Sequence, residues 1–268
     1  MKTFKERLYK DIFSGFSYTE KLSTLKSKYQ KIDVYKHSTL GKVLVLDDIV
    51  QLATQDEFIF HESIAFWPFF VKKNIKNILI VGGGDLGLAI RLLKIKKDIT
   101  VTLVEIDKKV TETSLQHIFP KEKRILSDKR LQLIYQDAVD MISTDRNYYD
   151  LIIVDSTDDS GVGSVLYQNS FILNLKERLN DHGILMRLSG SLFLQKKEFE
   201  AINKQSKRVF GASSVGNLFL PLNMYQGGIY TVNICFRNTK FSYIPTNDFT
   251  APGIWYNKDR HLGISTLF

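Results

Sequence analysis

An apolar run that passes directly into three glycines constrains this sequence more than any other feature. Residues 78–85 have the sequence ILIVGGGD, and residues 86–94 continue with the pattern of an amphipathic helix. Glycines allow positive φ and let a backbone approach a ligand closely, and a helix start favours negatively charged ligand groups. A tight connection between a strand and a helix can have the same composition. The turn therefore indicates a binding site only together with other signals.

Strands and helices alternate along most of the chain. The predicted elements are strand 77–81, helix 86–94, strand 100–104, helix 108–117, strands 131–135 and 151–154, helix 170–179, strand 184–188, helix 196–210 and strands near 228–236. This alternation is typical of a parallel-dominated sheet with crossover helices. The residues before it have short alternating runs with turns, including one at Asp47-Asp48, and an apolar helix over 57–70. We therefore expect an α/β fold with a small N-terminal antiparallel β domain (1–70) and a Rossmann-like catalytic domain (71–268).

Acidic residues lie where four of these predicted strands end. Asp85 follows the glycine turn, Glu105 ends the next strand about 20 residues further on, and Asp137 and Asp155 follow two later strands. An acid at the second position accepts hydrogen bonds from ribose hydroxyls in nucleotide-binding folds. Because open parallel sheets bind ligands at the carboxyl ends of their strands, the four acids predict one shared site.

The charge distribution separates the surface from this predicted site. The chain has 37 Lys and Arg against 29 Asp and Glu, a net charge of +8, which first suggests a nucleic-acid partner. Residues 1–31 hold eight cationic and three acidic side chains, whereas residues 147–175 hold four acids and no Lys or Arg. The acidic segment indicates a ligand that is cationic.

Composition excludes several classes of protein. Cys235 is the only cysteine, so an intramolecular disulfide framework and a Cys-rich zinc site are excluded. No apolar run approaches the ~18 residues of a membrane span, and residues 1–10 are too charged for a signal peptide. We expect a soluble cytoplasmic protein with no membrane or nucleic-acid partner.

Motifs along nearly the whole chain resemble those of the polyamine aminopropyltransferases, the spermidine synthase family. They are SKYQ (27–30), GKVLVLD (41–47), DEF (56–58), HE (61–62), GGGD (82–85), VEID (104–107), YDLIIVDSTD (149–158), YQGG (225–228) and WYN (255–257) with His261. The order and spacing of these motifs are highly specific.

The resemblance implies transfer of an aminopropyl group from decarboxylated S-adenosylmethionine to a primary amine, most simply putrescine, with release of methylthioadenosine. It implies a methyltransferase-like Rossmann domain, no cofactor or metal, and a homodimer or homotetramer. Asp155 would be the catalytic proton acceptor. The residues implied to bind the donor nucleoside are Gln30, Gln51, Gly82, Gly84, Asp85, Glu105, Asp137, Ala138 and Val162, and those implied to bind the amine are His61, Asp85, Asp158 and Tyr225. Residues 155–166 resemble the segment that closes over the substrates in this family.

Elementary chemistry supports these assignments. A protonated amine is not a nucleophile, so the site must remove a proton while the amine faces the sulfonium carbon, and a carboxylate such as Asp155 can do both. Both substrates are cations that carboxylates attract and orient. Asp85 would repel the carboxylate of intact S-adenosylmethionine, which favours the decarboxylated donor.

The sequence departs from the family pattern mainly on the acceptor side. Phe60 replaces a tyrosine, Leu86 replaces the glycine after Asp85, Asp159 and Val162 replace two prolines, and Leu188 and Gly190 occupy positions that are polar in many members. We expect donor binding to be retained and the choice of amine, such as cadaverine or spermidine, or the rate to differ. A methyltransferase that uses intact S-adenosylmethionine and a non-catalytic paralogue, including an RNA-binding one, are the alternatives.

Overall fold

The computed structural model describes residues 2–6, 8–9, 11–95, 98–156 and 161–265, without the side chains of residues 161, 162 and 164. Its strands are β1 (Lys2–Lys5), β2 (Gly15–Tyr18), β3 (Glu20–Lys26), β4 (Lys31–His37), β5 (Gly41–Leu46), β6 (Ile49–Ala53), β7 (Asn77–Gly82), β8 (Thr100–Glu105), β9 (Leu131–Tyr135), β10 (Tyr149–Asp155), β11 (Leu179–Ser191), β12 (Val215–Pro221) and β13 (Ile229–Phe236). Its α-helices are α1 (Glu57–Val71), α2 (Gly87–Leu93), α3 (Lys108–Thr113), α4 (Ala138–Thr144), α5 (Asn169–Arg178), α6 (Lys196–Phe210) and α7 (Lys258–Ser265).

The N-terminal region is antiparallel β structure, as the alternating runs predicted. β1 and β2 form a two-stranded sheet, and β3, β4, β5 and β6 form a four-stranded sheet in chain order. The turn between β5 and β6 is at Asp47-Asp48, where both residues have positive φ (47° and 63°). A two-residue hairpin turn with positive φ at both positions matches the twist of its strands, and aspartate tolerates this conformation better than most residues.

The second sheet has seven strands in the order β12-β13-β11-β10-β7-β8-β9. Five neighbouring strands, from β11 to β9, are parallel, while β13 and β12 are antiparallel. In the pairing register Asp155 lies opposite Gly82, and Glu105 opposite Tyr135. The carboxyl ends of β7, β8 and β10 therefore meet at one edge of the sheet, which confirms the predicted methyltransferase-like architecture.

Helix α1 joins the two sheets through one hydrophobic core. Its aromatic side chains Phe66, Trp67, Phe69 and Phe70 are at most 2 % exposed. They belong to a core cluster that includes residues of the N-terminal sheet and of β7 and β8. The domain boundary predicted at residue 70 falls at the end of this shared helix and stays a prediction. Among the described residues, no helix is long and apolar enough to cross a membrane.

The structure differs from the prediction at one helix end and in elements that were not predicted. The helix predicted to end at His117 is α-helical to Thr113 and continues as a π turn over Ser114–Ile118. Helices α4 and α7 and strand β12 were not predicted. Helix α4 has only seven residues, two turns of helix, which is too short for a clear hydrophobic period.

A buried glutamate fastens the C-terminal segment to α1. The Glu62 carboxylate is 2 % exposed and accepts hydrogen bonds from the backbone N–H groups of residues 254, 255 and 256 at 3.0, 2.8 and 2.9 Å. A Cβ at Gly253 would lie 2.3 Å from a Glu62 oxygen, so only glycine lets the segment lie so close. These bonds join parts of the chain more than 190 residues apart.

We expect Glu62→Ala to destabilise the fold, because three backbone N–H groups lose their carboxylate acceptor. Hydrogen bonds to charged groups contribute about 1.5–3 kcal/mol each, so the melting temperature should fall by about 4 °C or more. Differential scanning fluorimetry measures the change. Glu198→Ala, at an exposed position of α6, is the matched control and should leave the melting temperature within about 1 °C.

Candidate active site

A cleft of about 1620 Å³, its open mouth included, lies at the carboxyl ends of β7, β8 and β10. The N-terminal sheet, the first turn of α1 and the segment around residues 222–230 form its other walls. The cleft thus lies where an open parallel sheet binds its ligands.

Glycines let the turn after β7 lie against two acidic residues. The backbone N–H of Gly83 donates to the carbonyl of Asp155 at 2.8 Å, and Gly82 and Gly83 have φ of 79° and 65°. A Cβ at Gly82 would lie 2.0 Å from that carbonyl oxygen, and one at Gly84 would lie 2.6 Å from Oε2 of Glu105. The three glycines therefore allow the close approach of β7, β8 and β10 at this edge.

Leu86 has a left-handed backbone, which explains why glycine would suit this position. Its φ is 69°, and its N–H donates to the carbonyl of Gly83 at 2.8 Å to close the turn. Its side chain is fully buried in the main core. The left-handed conformation costs a non-glycine residue roughly 1–2 kcal/mol, which this burial offsets.

All residues with described side chains that were predicted to bind the donor nucleoside line this cleft. They are Gln30, Gln51, Gly82, Gly84, Asp85, Glu105, Asp137 and Ala138. Glu105 is 8 % exposed, and one of its oxygens accepts from the N–H of Asp107 at 2.7 Å. Burial raises the pKa of the Glu105 carboxyl to about 7. Val162 falls in the short 3₁₀ helix Gly161–Tyr167, and its side chain is not among the described ones.

Two of these side chains also make hydrogen bonds that hold the backbone of the cleft in place. The amide of Gln30 donates to Oδ2 of Asp107 at 3.1 Å, and the Ser27 hydroxyl donates to the same oxygen at 2.6 Å. These bonds tie the β3–β4 hairpin to the turn after β8. Oδ1 of Asp137 accepts from the N–H of Val139 at 2.8 Å and caps helix α4.

His61 lies between two carboxylates. Its Nδ1 is 2.5 Å from Oε2 of Glu57, and its Nε2 is 3.4 Å from Oδ2 of Asp85. Burial alone would lower the pKa of this imidazole, but the charges and hydrogen bonds of the two carboxylates raise it to about 10. His61 is therefore an imidazolium at neutral pH. Glu57 in turn accepts from Arg91 at 2.6 Å.

Asp85 and Asp155 have opposite pKa shifts. Burial would raise the pKa of Asp85, but the charge and hydrogen bond of His61 and the N–H of Gly87, at 2.6 Å, lower it overall. For Asp155, burial raises the pKa to about 7, with a further contribution from the charge of Asp85. Asp85 is therefore ionised at neutral pH, while Asp155 is balanced between its two protonation states.

The remaining wall of the cleft is mostly apolar. Phe60, Leu188, Leu222, Met224, Tyr225 and Tyr230 line it. The ring of Tyr225 stacks on Tyr230 at 4.9 Å, and its hydroxyl donates to the carbonyl of Gln51. Gly190 has a φ of 82°, and a Cβ there would lie 2.9 Å from Oε1 of Gln195, which accepts from the N–H of Ser191 at 2.8 Å.

Acidic side chains dominate the charge of the cleft. Its described lining contains seven of them, namely Glu6, Asp56, Glu57, Asp85, Glu105, Asp137 and Asp155, and no Lys or Arg. Within the described ranges, no group of three or more His, Cys, Asp or Glu side chains could hold a metal ion. The arrangement is suited to organic cations.

The sequence did not indicate Glu57 or Glu6 as site residues, and the prediction for Asp158 stays untested. Glu57 is four residues before His61 on a helix, a spacing that places both on one face and could have indicated the pair. Glu6 is 6 % exposed and accepts from the N–H of Val50 at 2.9 Å and from the Gln226 amide at 2.6 Å, contacts that no local pattern predicts. Asp158, predicted to bind the amine, lies outside the described residues.

The fold and the site define a methyltransferase-like Rossmann protein with an acid-lined cleft. The family model for the spermine/spermidine synthase domain matches residues 57–243, and the model for the spermidine synthase tetramerisation domain matches residues 15–54. Two curated relatives are named polyamine aminopropyltransferase. The one from Buchnera aphidicola is 33 % identical over 91 % of this chain and 86 % of its own, and the one from Thermoplasma volcanium is 34 % identical over 98 % and 94 %.

Solved structures share the fold. A spermidine synthase in complex with the transition-state analogue AdoDATO superposes with a TM-score of 0.87 at 22 % identity, over 98 % of this chain and 91 % of the other. The Thermotoga maritima spermidine synthase gives a TM-score of 0.86 at 21 % identity, over 99 % and 91 %. The chain belongs to the spermine/spermidine synthase family and is an enzyme of the transferase class.

We expect Asp155→Asn to raise the melting temperature at pH 8. The pKa of Asp155 is about 7 in the folded chain and about 3.9 when unfolded, so ionisation of this side chain destabilises the fold as the pH rises between these values. The variant removes that effect. At a pH above 7, the melting temperature of the variant should exceed that of the wild type by at least about 2 °C. This difference should shrink towards zero near pH 4.

The matched control is Asp137→Asn, which makes the same change at another strand end. Asparagine caps helices as well as aspartate does, so this variant should leave the melting temperature at pH 8 within about 1 °C. A gain for Asp155→Asn that is equal at pH 4 and pH 8 would contradict the assignment of the raised pKa.

Proposed function

We propose that this enzyme transfers the aminopropyl group of decarboxylated S-adenosylmethionine to putrescine, giving spermidine and methylthioadenosine. The observation that carries the proposal is the Asp155 carboxyl, balanced between its protonation states beside the ionised Asp85 at the floor of an acid-lined cleft. A base that removes a proton from an ammonium group needs this environment.

On the donor side, Glu105 and Asp137 supply carboxylate oxygens to the sugar and the base. Gln30 and Asp107 keep the wall beside them in place through their hydrogen bond. Asp85 receives the ammonium end of the aminopropyl group. The carboxylate of intact S-adenosylmethionine would place a second negative charge there, and two like charges 4 Å apart repel by about 4 kcal/mol at an effective dielectric constant of 20. This repulsion argues against a methyltransferase.

The reaction then needs one proton transfer and one substitution. Asp155 accepts a proton from the ammonium group of the acceptor and leaves a neutral amine. The nitrogen lone pair attacks the aminopropyl carbon bonded to sulfur, a C–N bond forms, and the C–S bond breaks with its electrons on sulfur. The sulfonium becomes a neutral thioether, and the product nitrogen is a secondary ammonium. Negative charge around the cleft stabilises the positive charge that develops on the attacking nitrogen.

The acceptor side of the cleft supports a second amine as the acceptor in the same reaction. Phe60 and Leu188 line the cleft without a polar group. Glu6 is the further carboxylate of this wall, and both its oxygens accept hydrogen bonds from the protein. A wall that combines apolar side chains with a carboxylate suits a methylene chain that ends in a cation. Cadaverine, whose methylene chain is longer than that of putrescine, is the alternative acceptor, and the apolar side chains of this wall support it.

The direct test is incubation of the purified chain with decarboxylated donor and a panel of amines, with the products identified by mass. We expect methylthioadenosine and one aminopropylated amine in equal amounts. Asp155→Asn should lower kcat by about 100-fold or more, because the variant cannot accept the proton. Unchanged turnover by this variant would refute the assignment of the base. Release of a methylated product from intact S-adenosylmethionine would instead favour a methyltransferase.

Phe60→Tyr should change the reaction on the acceptor side alone. Phe60 is 6 % exposed and packs at 5.3 Å from the His61 ring, so a hydroxyl added to its edge would offer the amine a hydrogen bond. We expect kcat/KM for putrescine to rise by roughly threefold or more, with the affinity for methylthioadenosine in calorimetry unchanged. Equal turnover of putrescine by both forms would show that the missing hydroxyl does not limit the reaction.

A further inference from the structure

A chain of alternating charges leads from the cleft into the protein. Its members are, in order, Asp85, His61, Glu57, Arg91 and Glu62. The successive contacts are 3.4 Å from Asp85 to His61, 2.5 Å from His61 to Glu57, 2.6 Å from Glu57 to Arg91 and 3.8 Å from Arg91 to Glu62. Each cation in this chain lies between two anions, and Asp85 is the member whose charge acts most strongly on Asp155.

The imidazole of His61 has no room to rearrange. Its side chain is 1 % exposed, with the rings of Phe60 and Phe119 at 5.3 and 6.3 Å. The start of α2 lies against it so closely that a Cβ at Gly87 would be 2.2 Å from the ring. Both ring nitrogens face carboxylate oxygens, and only the doubly protonated ring can donate to both.

Asp155 differs from Asp85 in its partners. Among the described residues, Asp155 has no cation within the distance of an ion pair. Asp85 has His61 as its cation, and the second carboxylate beside His61, that of Glu57, keeps the imidazole ring protonated. Two like charges near each other do not both stay ionised without compensation, so the one that lacks a cation takes the proton.

We propose that Glu57 is a positioning residue that decides which acid takes the substrate's proton: by holding His61 as an imidazolium it keeps Asp85 ionised, so the proton leaving the acceptor amine goes to Asp155. This inference rests on the proposed function. Glu57 acts through His61 and not on the reacting atoms.

The charged groups around His61 come from three elements. Glu57 is on the same helix as His61, and Asp85 follows β7. Arg91, on α2, contacts Glu57 and not the ring itself. The pKa directions agree with the geometry. Burial would raise the pKa of the Glu57 carboxyl, but its hydrogen bond to His61 and the charges of His61 and Arg91 lower it overall, so Glu57 stays ionised beside the imidazolium.

Replacement of Glu57 by glutamine should neutralise the ring. In this variant His61 has lost its closer carboxylate, and the remaining one, Asp85, is 3.4 Å away. Because burial favours the neutral form of an imidazole, the ring should lose its proton. Asp85 then loses its cation, and Asp85 and Asp155 compete for one proton. Because ionising both acids then requires a higher pH, the acid limb of the pH profile of kcat/KM should shift to higher pH by about one unit.

The experiment combines a histidine titration with a pH profile. In full-length protein labelled with ¹⁵N and ¹³C histidine, the His61 signal is assigned by its loss in His61→Gln. We expect the wild-type ring to stay doubly protonated to above pH 8, and the ring of Glu57→Gln to be neutral at pH 8. The pH profile of kcat/KM is then measured on the same proteins.

Two variants separate charge from structure. Asp56→Asn removes a neighbouring carboxylate of the same cleft that does not contact His61, and should leave the His61 titration unchanged. Glu57→Asp keeps the charge and should restore at least part of the imidazolium and of the acid limb. If Glu57→Gln does not fold, the wild-type titration and Glu57→Asp still test the proposal.

A wild-type His61 that is neutral at pH 7, or an acid limb that is identical in wild type and Glu57→Gln, would overturn the inference. A charged His61 in a protein that transfers no aminopropyl group would instead refute the proposed function. A neutral His61 in a protein that makes spermidine would refute only the role of Glu57. The two failures therefore give different results.

Discussion

Two carboxylates at one edge of the sheet, Asp85 and Asp155, set the electrostatic problem on which the rest of the site depends. A buried pair of like charges is stable only if a cation compensates one member or a proton neutralises it. The protein provides a cation for Asp85 in His61 at 3.4 Å. For Asp155 burial and the charge of Asp85 bring the pKa to about 7, so that a proton is exchanged near neutral pH.

The backbone makes this arrangement possible before any side chain contributes. Parallel pairing brings the ends of β7, β8 and β10 together, and the glycines after β7 let the turn touch the Asp155 carbonyl. The left-handed Leu86 continues the same turn. Its strain of roughly 1–2 kcal/mol is about matched by the ~1.5–3 kcal/mol that a fully buried leucine side chain contributes, so a residue other than glycine is tolerated there.

The sequence was sufficient to predict those features of the site that depend on local periodicity and on strand ends. The strand before the glycines, the acid Glu105 at the end of β8 and the convergence of four acids follow from patterns of a few residues. The partners of those acids could not be predicted in the same way. Glu62 meets residues 254–256 across more than 190 positions, and the amide of Gln30 reaches Asp107 across 77. Such contacts depend on how the two sheets pack, which no local pattern specifies.

The net charge of +8 and the acidic cleft are compatible because they act over different distances. At physiological ionic strength the field of surface lysines is screened within about 8 Å, whereas charges inside a cleft are screened much less. A dication approaching the protein therefore meets weak long-range repulsion and strong short-range attraction from carboxylates a few ångströms away. The attraction decides binding, because Coulomb energy in a partly buried site exceeds that in water by several-fold. The charge of the whole chain consequently carries no information about which ions this cleft binds, and only the local arrangement of acids does.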